Sequence, residues 1–206
     1  MDGLVTNIAL IAGVGGGGVA PHDIVLTGTA GLVAGAISMG LGEYTSVRTQ
    51  NEQVDAEVAK ERRELERHPA AEAAELAEIW IRRGLPAALA REVAETLAKN
   101  PGAALAVHAQ EELGVNPDES PSPWIAALSS FVCFSIGALI PLLPYLVGAT
   151  DLWLALGGGG LGLFAAGALV ARFTDGVWWR SGARQFALGA AAAIATYGVG
   201  YLIGTA

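Results

Sequence analysis

Five apolar runs make up most of this chain, at about 3–20, 24–47, 124–147, 152–171 and 186–203. Each approaches the roughly 20 helical residues needed to cross the hydrocarbon of a bilayer. A long polar stretch interrupts them: positions 48 to 121 hold 15 of the 20 Asp and Glu and nine of the 12 Lys and Arg. The pattern predicts an all-α, polytopic membrane protein with five transmembrane helices and one water-exposed helical insert. The expected organisation is 1–48 for spans one and two, 49–118 for the acidic insert, and 119–206 for spans three to five.

Helix-breaking residues divide the insert. A charged helix is expected to run out of the second span to about His68, and Pro69 suits the first turn of another helix ending at Arg83. Gly84, Leu85 and Pro86 form the next break, followed by a helix to about Leu97. Asn100 and Pro101 open a last helix that stops at Gly114, where a glycine C-cap is expected. The proline-, serine- and acid-rich stretch 116–123 returns the chain to the bilayer.

Composition sharpens the class. Of 206 residues, 52% are hydrophobic and 16% charged, and the mean hydropathy is +0.45, which excludes an ordinary soluble domain. Cys133 is the sole cysteine, so no intramolecular disulfide forms. No basic region precedes the first apolar run and Asp2 stands directly before it, unlike a cleaved signal peptide. Small residues Gly28, Gly31 and Gly35 share a helical stripe suited to close packing, either at a dimer seam or within one protomer. The run 157–160 of four glycines lacks the Lys-Ser/Thr of a phosphate loop and is expected inside a span. With five spans, all 12 Lys and Arg fall in the insert and in the 172–184 loop. The positive-inside tendency then places the insert in the cytoplasm. Trp124, Trp153, Trp178, Trp179 and Tyr201 lie near span ends, as interfacial anchors do.

The acids of the insert are spaced like ligands. Glu61 with Glu64, and Glu72 with Glu75, each place two carboxylates on one helical face. A break at Pro69 would let two helices bring the pairs face to face, where a divalent cation would offset the repulsion. Carboxylate oxygens suit Mg²⁺, Mn²⁺ or Fe²⁺. The competing reading is a solvated face with Arg62, Arg63 and Arg67 as partners. His108, Glu111 and Glu112 form a second acidic group with one imidazole, or simply a polar helix end. Within the spans, Asp2 opens the first run, and Met39 and Glu43 lie four apart on the second, a soft thioether beside a hard carboxylate. Alternatively, Met39 fills a helix contact and Glu43 ends the span.

The segments DGLVTNIALIAGVGGG, ISMGLGEYTSVRTQNE, KERRELERHPAAEAAELAEIWIRRGLP and PLLPYLVG, in this order over nearly the whole chain, resemble the vacuolar iron transporter family. The resemblance implies a dimer of five-span subunits that exchanges Fe²⁺, and often Mn²⁺, for protons. It implies pathway roles for Asp2, Met39 and Glu43, and metal ligation by Glu61, Glu64, Glu72, Glu75, His108 and Glu112. His108 stands where some relatives have methionine and Ala109 where a glutamate is found, with Glu111 close by as a substitute.

The function expected is therefore export of cytoplasmic Fe²⁺, with Mn²⁺ as a second cargo, in exchange for protons across a bacterial-type inner membrane or an organelle membrane. The expected partners are divalent metal ions, protons, the lipid bilayer and a second copy of the chain, with no nucleic acid. The metal is cargo and no cofactor is expected. A membrane-anchored metal buffer that does not transport is the alternative. An enzyme is not expected, because His22, His68 and His108 are scattered and no nucleophile–base set is present.

Overall fold

The computed structural model describes residues 1–117 and 119–206, and its regular structure among these residues is helical. The helices are α1 Asp2–Gly16, α2 Pro21–Arg67, α3 Pro69–Arg82, α4 Ala87–Ala98, α5 Pro101–His108, α6 Pro123–Leu146, α7 Leu152–Ala171 and α8 Trp178–Gly204, with a π-helical turn Ala109–Leu113 after α5. The chain forms two compact units, Met1–Tyr44 with Trp124–Ala206, and Thr45–Pro123.

The first unit is apolar. Among the described residues four helices, α2, α6, α7 and α8, are long and apolar enough to cross a membrane. The first expected span is the 15-residue α1, about 22 Å long at 1.5 Å per residue and short of the roughly 30 Å hydrocarbon. It ends early because Gly17 and Gly18 follow, the latter at φ +74°. The core of this unit joins α1, α2, α6 and α7 through Ile11, Ile24, Leu142, Tyr145 and Ala155. Leu4, Ile8 and Leu163 form a second cluster. Buried Asn7 donates from Nδ2 to the Ala138 carbonyl at 2.6 Å, so its amide ties α1 to α6.

The glycine stripe of α2 is used within the chain: a Cβ at Gly28 would meet Leu142, one at Gly31 would meet Leu10, and one at Gly35 would meet Phe134. The four glycines at 157–160 continue α7 without a break. Gly159 packs on Ile8 and Gly160 on Phe186, whereas among the described residues Gly157 and Gly158 face open space.

The second unit follows the predicted punctuation. At the end of α3, Gly84 takes φ +100°, and the bonds Leu85 N–H to Trp80 O (3.0 Å) and Gly84 N–H to Ile81 O (2.9 Å) make a Schellman stop. Asn100 caps α5 by accepting from the Ala103 N–H at 3.2 Å, with Pro101 in the first turn. Leu76, Ala77, Ala90 and Ala94 bury the facing sides of α3 and α4, while Val58 of α2 packs with Leu105 and Ala109. These two small cores hold α2, α3 and α5 in place around the polar residues described next.

Candidate metal centre

Three separate segments of the second unit supply one cluster. α2 contributes Glu61 and α3 contributes Glu72. His108 is the last residue of α5, and Glu112 lies on the π-helical turn. One ligand atom from each of the four falls within 4.8 Å of the others, the only such group of three or more His, Cys, Asp or Glu among the described residues. The break at His68, whose φ of −134° interrupts the helical path, allows Glu61 and Glu72 to face each other. A run of 11 residues along one straight helix would have set them roughly 16 Å apart.

His108 Nδ1 sits at the centre, 2.9 Å from Glu112 Oε1, 3.1 Å from Glu61 Oε1 and 3.9 Å from Glu72 Oε2. The imidazole is 1% exposed, and Glu61 and Glu72 are also buried. A ring nitrogen carries at most one proton, so Nδ1 cannot satisfy both close carboxylates. Glu61 Oε1 accordingly has no hydrogen-bond partner. Burial is the main reason that the Glu61 carboxyl titrates above the usual carboxylate range. The charge of Glu112 adds to the rise, the charges of Glu72 and Glu64 add less, and His108 opposes it. Glu72 is raised in the same direction, by burial first and then by Glu75, again with His108 in opposition.

Three carboxylates around one imidazole nitrogen are a fit for a divalent cation of intermediate hardness. Ligand atoms at about 2.1 Å from an ion lie at most about 4.2 Å from each other, so closing the present set on a cation takes small side-chain movements. The orphaned oxygen of Glu61 is the atom such an ion would satisfy.

The other expected ligands stand differently. Half-buried Glu64 and exposed Glu75 lie outside the four-atom group and act on it through charge, as the raised Glu61 and Glu72 show. Glu111 points elsewhere: it pairs with Arg83 and accepts from Trp80 Nε1 at 3.4 Å. The π-helical turn therefore directs two consecutive glutamates to different tasks. Sequence reading missed Trp80 and Arg83, which lie about 30 residues before Glu111 and share no spacing with it.

In the first unit, Asp2 is exposed in the first turn of α1. Met39 is half-buried against Ala36, Phe134 and Ala138, and Glu43 is half-buried one turn further along α2.

A family model described as the VIT family matches residues 1–201. The chain belongs to the VIT family. Relatives of this VIT-family chain include a vacuolar iron transporter of Acanthamoeba castellanii, 40% identical over 187 residues that cover 87% of this chain and 69% of the relative. Vacuolar iron transporter 1 of Oryza sativa subsp. japonica is 35% identical over 208 residues, covering 99% of this chain and 82% of the relative. A vacuolar iron transporter of Plasmodium berghei is 31% identical over 151 residues, covering 71% and 55%. The resemblance read from the sequence thus holds over the whole chain.

Proposed function

We propose that this VIT-family chain carries Fe²⁺, and Mn²⁺ as a second cargo, out of the cytoplasm in exchange for protons. The observation that carries the reading is the His108 cluster, a preassembled set of one imidazole and three carboxylates in which His108, Glu61 and Glu72 are buried, Glu112 is exposed, and one Glu61 oxygen is unpartnered. The iron-transporter names of relatives spanning the chain support it. In this reading Glu61, Glu72, His108 and Glu112 capture the cation, and Glu64 and Glu75 raise the local cation concentration. The ion then passes along a route in the membrane unit that uses Met39, Glu43 and Asp2. A second copy completes that route, and the insert faces the cytoplasm, a placement that the distribution of Lys and Arg supports through the positive-inside tendency. Proton and metal compete for the same carboxylates, which supplies the coupling.

Flux of Fe²⁺ into proteoliposomes against a pH gradient is the test. Wild-type protein moves metal and protons together, whereas Met39→Ala loses most flux yet still binds metal at the insert. Glu43→Gln uncouples metal movement from proton movement. Absent wild-type flux favours the membrane-anchored buffer, a reading supported by the packing of Met39 against Phe134. Undiminished flux in Met39→Ala removes that residue from the route.

The raised carboxyls give the insert a characteristic pH response. A glutamate whose folded pKa lies above its unfolded value near 4.5 binds protons more tightly in the folded state, so its contribution to stability is present at low pH. That contribution is lost as pH rises through the folded value. For Glu61 and Glu72 the window opens at 4.5 and extends upward. Metal-free protein is therefore expected to lose insert stability from mildly acidic to neutral pH, while saturating Mn²⁺ reverses the trend because the ion prefers ionised carboxylates. Thermal melts with and without Mn²⁺ across that range check it, and parallel pH trends in the two series count against a shared proton and metal site.

A further inference from the structure

We propose that the loop joining α7 to α8 forms a binding site for an anionic phospholipid. Two apolar helices end there, and between them lies a cavity of about 660 Å³ lined by Ala165, Ala168, Leu169, Arg172, Gly176 and Trp178. The α7 side of this cavity is aliphatic, the chemistry an acyl chain takes, and Arg172 supplies a guanidinium at the mouth. Arg180 and Arg184 follow within the first two turns of α8.

All three arginines are exposed, and among the described residues none forms an ion pair with a carboxylate, not even with Asp175 of the same loop. A guanidinium binds phosphate through a planar pair of donors, and three such groups against one carboxylate favour a headgroup of net negative charge. Aromatic rings of this kind favour the membrane–water interface. Phe173 is 83% exposed and Trp178 and Trp179 about half exposed. Trp178 is held edge-on against Phe164, with ring centroids 6.2 Å apart. The Arg180 guanidinium lies 5.3 Å from the Trp179 ring centroid, a cation–π contact that holds the group beside an aromatic ring.

Setting topology would require only the positive charges. A cavity with aliphatic walls and a cationic mouth fits a molecule that carries both an acyl chain and a phosphate, and a membrane supplies that molecule as a phospholipid.

The test is thermal melting of the full chain in a neutral detergent, with phosphatidylglycerol or phosphatidylcholine added at matched mole fractions. Binding to the folded state raises the melting temperature by mass action. Phosphatidylglycerol is expected to give the larger rise, growing with its mole fraction. The triple substitution Arg172→Gln, Arg180→Gln and Arg184→Gln removes this excess, whereas the three corresponding Arg→Lys changes retain most of it. Arg172→Gln alone lowers it, which keeps the test sound if the triple variant does not fold. Equal rises with both lipids, an unchanged excess in the Gln variants, or the same rise with inorganic phosphate alone would each overturn the proposal.

Discussion

Glu61→Gln with Glu72→Gln is expected to weaken Mn²⁺ binding by at least about 100-fold, since even groups one shell removed from a metal cost up to that much when mutated. The same pair of changes should raise the melting temperature of the metal-free protein at neutral pH. Both effects have one cause. The two carboxylates are buried beside a third, and desolvation already drives their pKa values up, so their ionised forms destabilise the empty insert. Glutamine keeps the volume and hydrogen-bonding atoms but removes the charge, relieving repulsion with Glu112 and depriving a cation of two of its ligands. Titration calorimetry on the full chain measures the first effect and a metal-free melt the second. A solvated glutamate face would show neither, because exposed carboxylates cost little when ionised. Unchanged affinity would remove the cluster from the metal reading. Weakened affinity with a lowered metal-free melting temperature would mean that the carboxylates hold the fold together instead.

Much of this arrangement was legible because it is written in short-range signals. Pro69, the Gly84-Leu85-Pro86 break, the Asn100-Pro101 start and the Gly114 stop, at φ +68°, each act within one turn of helix, and the observed boundaries lie within a residue or two of those expected. Glu61 and Glu72 were marked by spacing, and the break between them was visible too. The choice of partners was not visible. Nothing local says that Glu112 turns toward His108 while its neighbour Glu111 turns to Arg83 and Trp80. That division depends on a π-helical turn and on packing between α3 and α5 across a long sequence separation. The start of α8 was missed for a simpler reason. Arg180 and Arg184 end an apolar run but not a helix, so the helix begins at Trp178, before the hydropathy rises. Glycine stripes showed that helices pack closely without showing which ones, and the α2 stripe was consumed by Leu10, Phe134 and Leu142 of the same chain.

Another pair of glycines, on α8, sits where an added Cβ would meet backbone, and it yields a sharp comparison. Gly200 and Gly204 of α8 fall four apart and lie against Gly13 of α1 and Gly17 just past its end. A Cβ at Gly200 would run into the backbone carbonyl of Gly13, and one at Gly204 would come within 2.5 Å of the Gly17 carbonyl oxygen. Backbone cannot swing aside as a side chain can, so α8 must move away from α1 and give up dispersion contacts that hold helices together in lipid. Gly200→Ala is therefore expected to destabilise the membrane unit by about 2 kcal/mol, in the range of overpacked cores. The matched control is Gly198→Ala. It makes the same chemical change two residues earlier on the same helix, where a Cβ meets nothing within 4 Å, and alanine's better helix propensity should leave stability equal or slightly higher. Thermal denaturation of both variants in one detergent separates local packing from any general response to losing glycine. Because α1 also carries Asp2 and the Asn7 tie to α6, Gly200→Ala should reduce Fe²⁺ flux as well, with Gly198→Ala transporting normally. Equal melting temperatures for the two variants would show that α1 and α8 do not meet at this seam.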